Sequence, residues 1–212
     1  MPVFATPDLV ETLRRGARVA LIVRHAERPA IDPGDPSFGD ALPLTEKGAR
    51  DAETLGVALR PFAHDVQFAA SPLLRTRQTA DRIAAGMGVA DPDVPTDERL
   101  GNGSFYYDDP GQVVDIFKPG RYLASCFEYF RTARFRGFRD LYAATDDFER
   151  WIDARWSRRL FVISTHDLYV AAFLSARKAC VFTEGTWPGY LDGGALVDEP
   201  GSPRRYMSFR SS

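Results

Sequence analysis

VALIVRH, residues 19–25, places five apolar residues directly before an arginine and a histidine. The apolar run is rich in β-branched residues, which is typical of a strand buried on both faces of a sheet. Strands of this kind form the centre of parallel sheets that are covered by helices on both sides. Arg24 and His25 are therefore expected where a central strand leaves the sheet.

The same arrangement of an apolar strand followed by a polar cluster and a helix occurs twice more. Residues 66–70 (VQFAA) are followed by Ser71-Pro72, a good N-cap and N1 pair for a helix that runs to Gly86 or Gly88. Residues 160–164 (LFVIS) are followed by Thr165-His166-Asp167 and the helical pattern LYVAAFLSA. Repeated strand-helix units predict an α/β protein with a mostly parallel central sheet.

The remaining segments complete a three-layer α/β/α sandwich. Residues 31–44 are crowded with Pro, Gly and Asp and predict a loop, after which Thr45 is expected to cap an amphipathic helix that ends before Pro61. Residues 193–197 and 205–209 predict two short strands of a hairpin. Residues 101–157, rich in aromatics and arginines, are expected to be a capping insertion of loops and helices in a single domain that spans residues 1–212.

Composition excludes several other classes of protein. A net charge of −2 over 212 residues argues against a nucleic-acid partner, and no apolar stretch approaches the length of about 20 residues that crosses a bilayer. Cys126 and Cys180 lie too far apart for a disulfide framework or a zinc knuckle. The N-terminal residues do not have the order of a secretory signal, so a cytoplasmic location is expected.

The polar clusters after the three strands are expected to converge, because ligands of open α/β sheets bind outside the carboxyl ends of the strands. His25 and His166 both occupy such positions, whereas His64 belongs to a connection on the opposite side. A single histidine is usually structural. Arg24 and Arg28 flank His25, however, and crowded positive charges are costly unless an anion lies among them. Phosphate fits, since guanidinium groups bind its oxygens bidentately.

Four motifs carry a resemblance to the histidine phosphatase superfamily, which includes phosphoglycerate mutases and histidine acid phosphatases. LIVRHAER (residues 21–28) resembles its Arg-His-Gly signature, with Ala26 in place of the glycine. LTEKG (residues 44–48), SPLLRTRQTA (residues 71–80) and STHD (residues 164–167) resemble the segments that follow in that family, in the same order. The resemblance covers residues 19 to about 173 and implies a phosphoglycerate mutase-like fold.

The resemblance also implies roles for individual residues. His25 would become transiently phosphorylated, Arg24, Arg28 and Arg75 would bind the phosphoryl oxygens, and His166 would complete the pocket. No metal or other cofactor is required on this view, because the arginines supply the charge that Mg²⁺ supplies elsewhere. His25 must be neutral to attack phosphorus, and the adjacent guanidinium groups disfavour its protonated form.

Two residues compete for the role of proton donor to the leaving group. Mutase-like members of the family use a glutamate beyond the Ser-Pro-x-x-Arg helix, where this chain has TDERLGNG (residues 96–103). One alignment puts Glu98 at that position, and the other puts Asn102 there, which cannot act as an acid. Acid-phosphatase-like members use the aspartate of a His-Asp pair, and Asp167 has that context. We favour Asp167, although it could instead serve only as a helix N-cap.

The sequence therefore predicts an enzyme that hydrolyses a small-molecule or protein phosphomonoester through a phosphohistidine on His25. The alternatives are a phosphomutase with the same chemistry and a phospho-ligand binding protein without catalysis. Neither nucleic acid nor a membrane is an expected partner. Substrate identity and oligomeric state are left open, because specificity belongs to the irregular segment 101–157.

Overall fold

The computed structural model describes residues 4–32, 34–35, 37, 39–102, 104–113, 116 and 120–211. Within these residues one sheet has six strands, in the order β1-β6-β5-β2-β4-β3. The strands are β1 (Phe4–Ala5), β2 (Arg18–Arg24), β3 (Val66–Ala70), β4 (Leu160–Thr165), β5 (Gly193–Asp198) and β6 (Arg205–Arg210). The helices are α1 (Thr6–Arg14), α2 (Glu46–Leu59), α3 (Leu74–Met87), α4 (Pro110–Val113), α5 (Tyr122–Thr132), α6 (Leu141–Asp153) and α7 (Asp167–Ala176).

β2 is a central strand, as its composition predicts. It pairs in parallel with β4, which pairs in parallel with β3, and it pairs antiparallel with β5. β5 and β6 are antiparallel, which confirms the predicted hairpin. The register pairs Arg24 with Thr165, so the polar residues after β2 and β4 leave the sheet side by side.

The two faces of the sheet bury separate apolar cores, because successive side chains of a strand point to opposite faces. Val19, Leu21 and Val23 belong to a core that also contains Leu55 of α2 and Ile83 of α3. Ala20 and Ile22 belong to the core on the other face, whose helical members come from α4, α5, α6 and α7. The predicted three-layer α/β/α sandwich with a mostly parallel sheet is therefore confirmed.

Cap geometry confirms one of three predicted helix starts and corrects the other two. Thr45 caps α2, because its hydroxyl oxygen accepts a hydrogen bond from the Gly48 amide at 2.9 Å. The prediction that Ser71 caps α3 with Pro72 as its first residue is wrong, since α3 begins at Leu74 with Leu73 as its N-cap. The reading of Asp167 as an N-cap is also wrong by one residue, because His166 is the N-cap of α7 and Asp167 is its first residue.

Aromatic residues from the segment 101–157 pack on the sheet and on α7. The Phe105 and Phe148 rings stack with their centroids 5.0 Å apart, and Trp151 stacks at 6.1 Å on Phe161 of β4. α5 and α6 are thus part of the layer that covers this face. The description of the segment as a capping insertion stays a prediction. Among the described residues, no helix combines the length and apolar character needed to cross a bilayer.

Candidate active site

His25 and His166 meet at the carboxyl edge of β2 and β4. The His25 amide donates to the Thr165 carbonyl at 2.9 Å, which continues the pairing of the two strands by one residue. The two imidazole rings lie edge to face with their centroids 5.6 Å apart. His25 is only 4% exposed. The convergence that the sequence predicts for these two histidines is therefore present.

The hydrogen bonds of His25 leave one ring nitrogen free for reaction. Nδ1 lies 2.9 Å from the Ala26 carbonyl oxygen, which can only accept, so Nδ1 carries the proton and Nε2 carries the lone pair. Burial lowers the pKa of His25 well below its usual value, and the charges of Arg75 and Arg24 lower it further, against the opposing effect of the Ala26 bond. His25 is thus a neutral imidazole near neutral pH.

The His166 ring is linked to two buried hydroxyl groups, those of Ser71 and Thr76. Its Nε2 lies 3.0 Å from the Ser71 hydroxyl, which in turn lies 2.7 Å from the hydroxyl of Thr76 on α3. Burial lowers the pKa of His166 well below its usual value, and the nearby His25 and Arg75 lower it further. Ser71 therefore ties the second histidine to the start of α3 instead of capping that helix.

Arg24 and Arg75 act electrostatically on both histidines, and Arg28 acts on Arg75. These three arginines of the site share one feature. The Nε atoms of Arg24, Arg28 and Arg75 are buried, and none has a hydrogen-bond partner within the described part of the chain. Burial, followed by the nearby charge of Arg28, lowers the pKa of Arg75 to about 10, so this guanidinium still stays charged near neutral pH. Buried N–H donors without a partner are rare in folded proteins and costly. Such a concentration of them favours an anion as ligand.

Arg24 is fixed by the turn that precedes β5. Its guanidinium lies over the Tyr190 ring, 4.5 Å from the centroid, and its Nη1 donates to the Pro188 carbonyl at 2.7 Å. The Tyr190 ring also lies 5.8 Å from the His25 ring. Sequence analysis did not assign Tyr190 or Pro188 to the site, and no spacing rule connects them to Arg24, since they meet it only through the fold.

Asp167 uses its carboxylate to join several elements. Oδ1 accepts from the Tyr122 hydroxyl of α5 at 2.8 Å, and Oδ2 accepts from the Trp187 indole at 3.0 Å. Arg24 Nη2 lies 3.7 Å from Oδ2. Burial raises the pKa of Asp167, but Arg24 and the bonds from Trp187 and Tyr122 outweigh this and hold the pKa below its usual range. These contacts favour an ionised anchor, and the predicted role of proton donor stays a prediction.

The other candidate for proton donor lies on the surface. Glu98 has an exposed side chain and belongs to a short 3₁₀ turn, Glu98–Leu100. The end of that turn does reach the site, because a Cβ built on Gly101 would lie 3.6 Å from His166 Nε2. Thr165 also donates its hydroxyl to the Leu100 carbonyl at 2.7 Å. Residues 100–101 thus reach the site, while the Glu98 side chain is exposed to solvent.

The loop after His25 is held by α2 and α3. A Cβ on Gly48 would lie 2.2 Å from the Glu27 carbonyl oxygen, so only glycine permits this close approach of α2. Thr45 donates to the Glu27 carboxylate at 2.9 Å, and the Ala26 amide donates to the Thr79 hydroxyl at 2.9 Å. Ala26 can replace the glycine of the signature because its φ is not positive. The motifs LTEKG and SPLLRTRQTA therefore shape the loop that presents His25 and Arg28.

Comparison with known proteins agrees with this fold. Residues 20–106 match the sequence model of the histidine phosphatase superfamily (branch 1). A mycobacterial glucosyl-3-phosphoglycerate phosphatase is similar in structure, with a TM-score of 0.57 and 18% identity over 92% of this chain and 100% of that chain. The phosphoglycerate mutase from Bacillus anthracis str. Sterne has a TM-score of 0.57 and 13% identity over 92% of each chain. A protein described as mycobacterial hydrolase 1 has a TM-score of 0.56 and 20% identity over 92% of this chain and 99% of that chain.

At these identities the structural neighbours establish the fold alone. A search of curated proteins found no significant match to the sequence. The resemblance drawn from the four sequence motifs is nonetheless confirmed, because the matched segment contains three of them.

Proposed function

From the match of residues 20–106 to the histidine phosphatase superfamily, we propose that the chain hydrolyses phosphomonoesters through a phosphohistidine intermediate on His25. The substrate would be a phosphorylated small molecule or protein of the cytoplasm. Catalytic phosphoryl transfer is the activity of the family. Hydrolysis, the identity of the nucleophile and the cellular location are our proposals.

The observation that carries this proposal is a set of three guanidinium groups with buried Nε donors near a neutral imidazole. The Nε donors of Arg24, Arg28 and Arg75 have no hydrogen-bond partner among the residues that the structure describes, and His25 presents an unprotonated Nε2. A phosphoryl dianion would satisfy the donors and offset their mutual repulsion. Its negative charge is also what repels a nucleophile in water, so neutralising its oxygens is the main requirement of catalysis.

The reaction would proceed in two displacements. In the first, the Nε2 lone pair of His25 attacks phosphorus while the ester oxygen leaves with the bonding electrons and takes up a proton. In the second, water attacks the phosphohistidine, and inorganic phosphate and neutral His25 are released. The Nδ1 bond to the Ala26 carbonyl keeps the ring oriented and stabilises the cationic phosphohistidine. The arginines bind the equatorial oxygens in both steps.

The proposal is tested by turnover and by trapping of the intermediate. The purified protein is given p-nitrophenyl phosphate and a panel of alkyl phosphates, with release of inorganic phosphate as the readout. We expect turnover that His25→Ala abolishes and that His64→Ala leaves unchanged, because His64 is an exposed residue away from the site. Rapid quenching with ³²P-labelled substrate should place label on His25 that acid releases and base does not.

Absence of any turnover that depends on His25 would overturn the proposal. Recovery of the phosphoryl group on a second position of the substrate, with little free phosphate, would instead identify a mutase. Binding of inorganic phosphate without turnover or labelling would identify a binding protein.

A further inference from the structure

The proposed hydrolysis needs a proton donor for the leaving group, and no residue has yet been assigned to this role. An alkoxide leaving group must receive a proton as the P–O bond breaks, and a positioned carboxylic acid is the usual donor. Asp167 is ionised and accepts bonds from Tyr122, Trp187 and the Leu168 amide. Glu98 is exposed to solvent. The following inference rests on the proposed function and concerns the identity of this donor.

A third carboxylic acid, Asp40, lies beside the phosphate-binding arginines. Arg75 Nη1 donates to the Gly39 carbonyl at 2.9 Å, which fixes the loop after His25 against α3. Asp40 directly follows Gly39, so this bond also holds Asp40 next to Arg75. Asp40 is half-buried, unlike Asp32 of the same loop, which is exposed.

Asp40 is also bonded to the segment that reaches His166. Asn102 Nδ2 donates to Asp40 Oδ2 at 3.4 Å. The preceding residue, Gly101, lies against the site, because a Cβ on it would lie 3.2 Å from Ser71 Cβ and 3.6 Å from His166 Nε2. Asp40 therefore lies between Arg75 on one side and the segment next to His166 on the other.

Asn102 occupies the position that one alignment assigns to the acid of mutase-like relatives. An amide cannot give up a proton in catalysis, but it can donate a hydrogen bond to a carboxyl group. With Oδ2 held by Asn102, Oδ1 of Asp40 is left to carry a proton. The hydrogen bond thus connects Asn102, at the expected position of the acid, to Asp40, which has the carboxyl group that an acid requires.

We propose that Asp40 is the general acid of the reaction. As His25 Nε2 forms its bond to phosphorus, the bond between phosphorus and the ester oxygen breaks, and the Asp40 carboxyl proton passes to that oxygen to give the free alcohol. The resulting Asp40 carboxylate then accepts a proton from the water that attacks the phosphohistidine, which restores the acid.

The leaving-group dependence of the rate tests this assignment. With an alkyl phosphate such as glycerol phosphate, Asp40→Asn should lower kcat about 10²–10⁴-fold, the usual contribution of general acid catalysis. With p-nitrophenyl phosphate, whose leaving group departs without a proton, the same variant should lose far less activity. Asp40→Glu, which keeps an acid, should recover part of the rate with the alkyl phosphate. Asp32→Asn, the matched control in the same loop, should not change either rate.

Three outcomes would overturn the assignment. An equal loss with both substrates would mean that Asp40 only orients Arg75. An unchanged rate with the alkyl phosphate would mean that Asp40 donates no proton. A loss that depends on the leaving group in Asp167→Asn or Glu98→Gln, and not in Asp40→Asn, would assign the proton to that residue. Each of these results requires wild-type turnover that depends on His25, so failure of this inference is distinct from failure of the proposed function.

Discussion

The two buried histidines of the site should make the stability of the fold depend on pH. An unfolded histidine has a pKa near 6.5, whereas burial lowers the pKa of both His25 and His166 in the folded protein. Below about pH 6.5 the unfolded chain therefore binds protons that the folded chain does not. The stability that the neutral rings provide is present above the unfolded pKa and is lost as the pH falls.

The expected size follows from the same linkage. A histidine that titrates at about 6.5 only in the unfolded chain changes the free energy of unfolding by about 1.4 kcal/mol between about pH 7.5 and pH 5.5. Two such residues give up to about 3 kcal/mol, a large part of the usual stability of a domain. Urea denaturation followed by tryptophan fluorescence, in buffers without phosphate, measures this change directly.

The comparison of variants isolates the contribution of the site. The double variant His25→Gln/His166→Gln should lose most of the pH dependence across this range, because both titrating rings are gone. His64→Gln should keep the wild-type dependence, since His64 is exposed. Equal pH slopes in the wild type and the double variant would refute the reasoning, because the two rings would then titrate alike in the folded and unfolded chains.

Three further predictions test the surroundings of the site. Ser71→Ala removes the hydrogen bond to His166 Nε2 and should lower kcat about tenfold with little change in KM. This corresponds to a loss of about 1.4 kcal/mol in the transition state. Phosphatase kinetics measure both constants, and a change in KM alone would contradict a positioning role. Gly48→Ala should destabilise the fold by about 1–3 kcal/mol in urea denaturation because its Cβ would meet the Glu27 backbone, whereas Gly185→Ala, with open space around it, should have little effect. Glu149→Gln should lower the free energy of unfolding by about 1.5–3 kcal/mol in the same assay, because the carboxylate of Glu149 accepts charge-assisted hydrogen bonds from Arg177 and Arg204. A variant as stable as the wild type would mean that water replaces these bonds.

The sheet could be predicted from sequence because its strands are short apolar runs with distinct ends. Residues 19–23, 66–70 and 160–164 each lie inside a strand of the structure. α1 was not predicted, because only Leu9 and Leu13 mark its buried face and it is only nine residues long. The start of α3 was placed two residues early, since Ser71-Pro72 has the composition of a helix start while the Ser71 hydroxyl is bonded to Thr76 and His166.

Some residues of the candidate site could be identified from the local sequence, whereas others are recognised only from contacts in the folded chain. Arg24 and His25 could be identified because they lie at the carboxyl end of a central strand. Arg75 could be placed only through the family resemblance, since its distance in sequence from His25 implies nothing about contact. The partners of Arg24 and Asp167, such as Tyr190 and Trp187, meet them through the fold and have no local signal.

The difference in basicity between arginine and histidine would allow His25, the proposed nucleophile, to react without a separate base. Crowded cations relieve their repulsion by losing a proton from the weakest base among them. Even with its pKa lowered to about 10, Arg75 remains charged near neutral pH, so the imidazoles lose the proton instead. Burial does most to keep His25 neutral, and the charges of Arg75 and Arg24 add to its effect. The charge that we propose binds the phosphoryl oxygens thus also helps to keep His25 Nε2 available. A bound dianion reverses this balance, because it shields the arginines and makes protonation of His166 more favourable. We therefore expect inorganic phosphate to bind more tightly as the pH falls toward 6, with uptake of a proton that titration calorimetry in buffers of different ionisation enthalpy can count; binding without proton uptake would contradict this coupling.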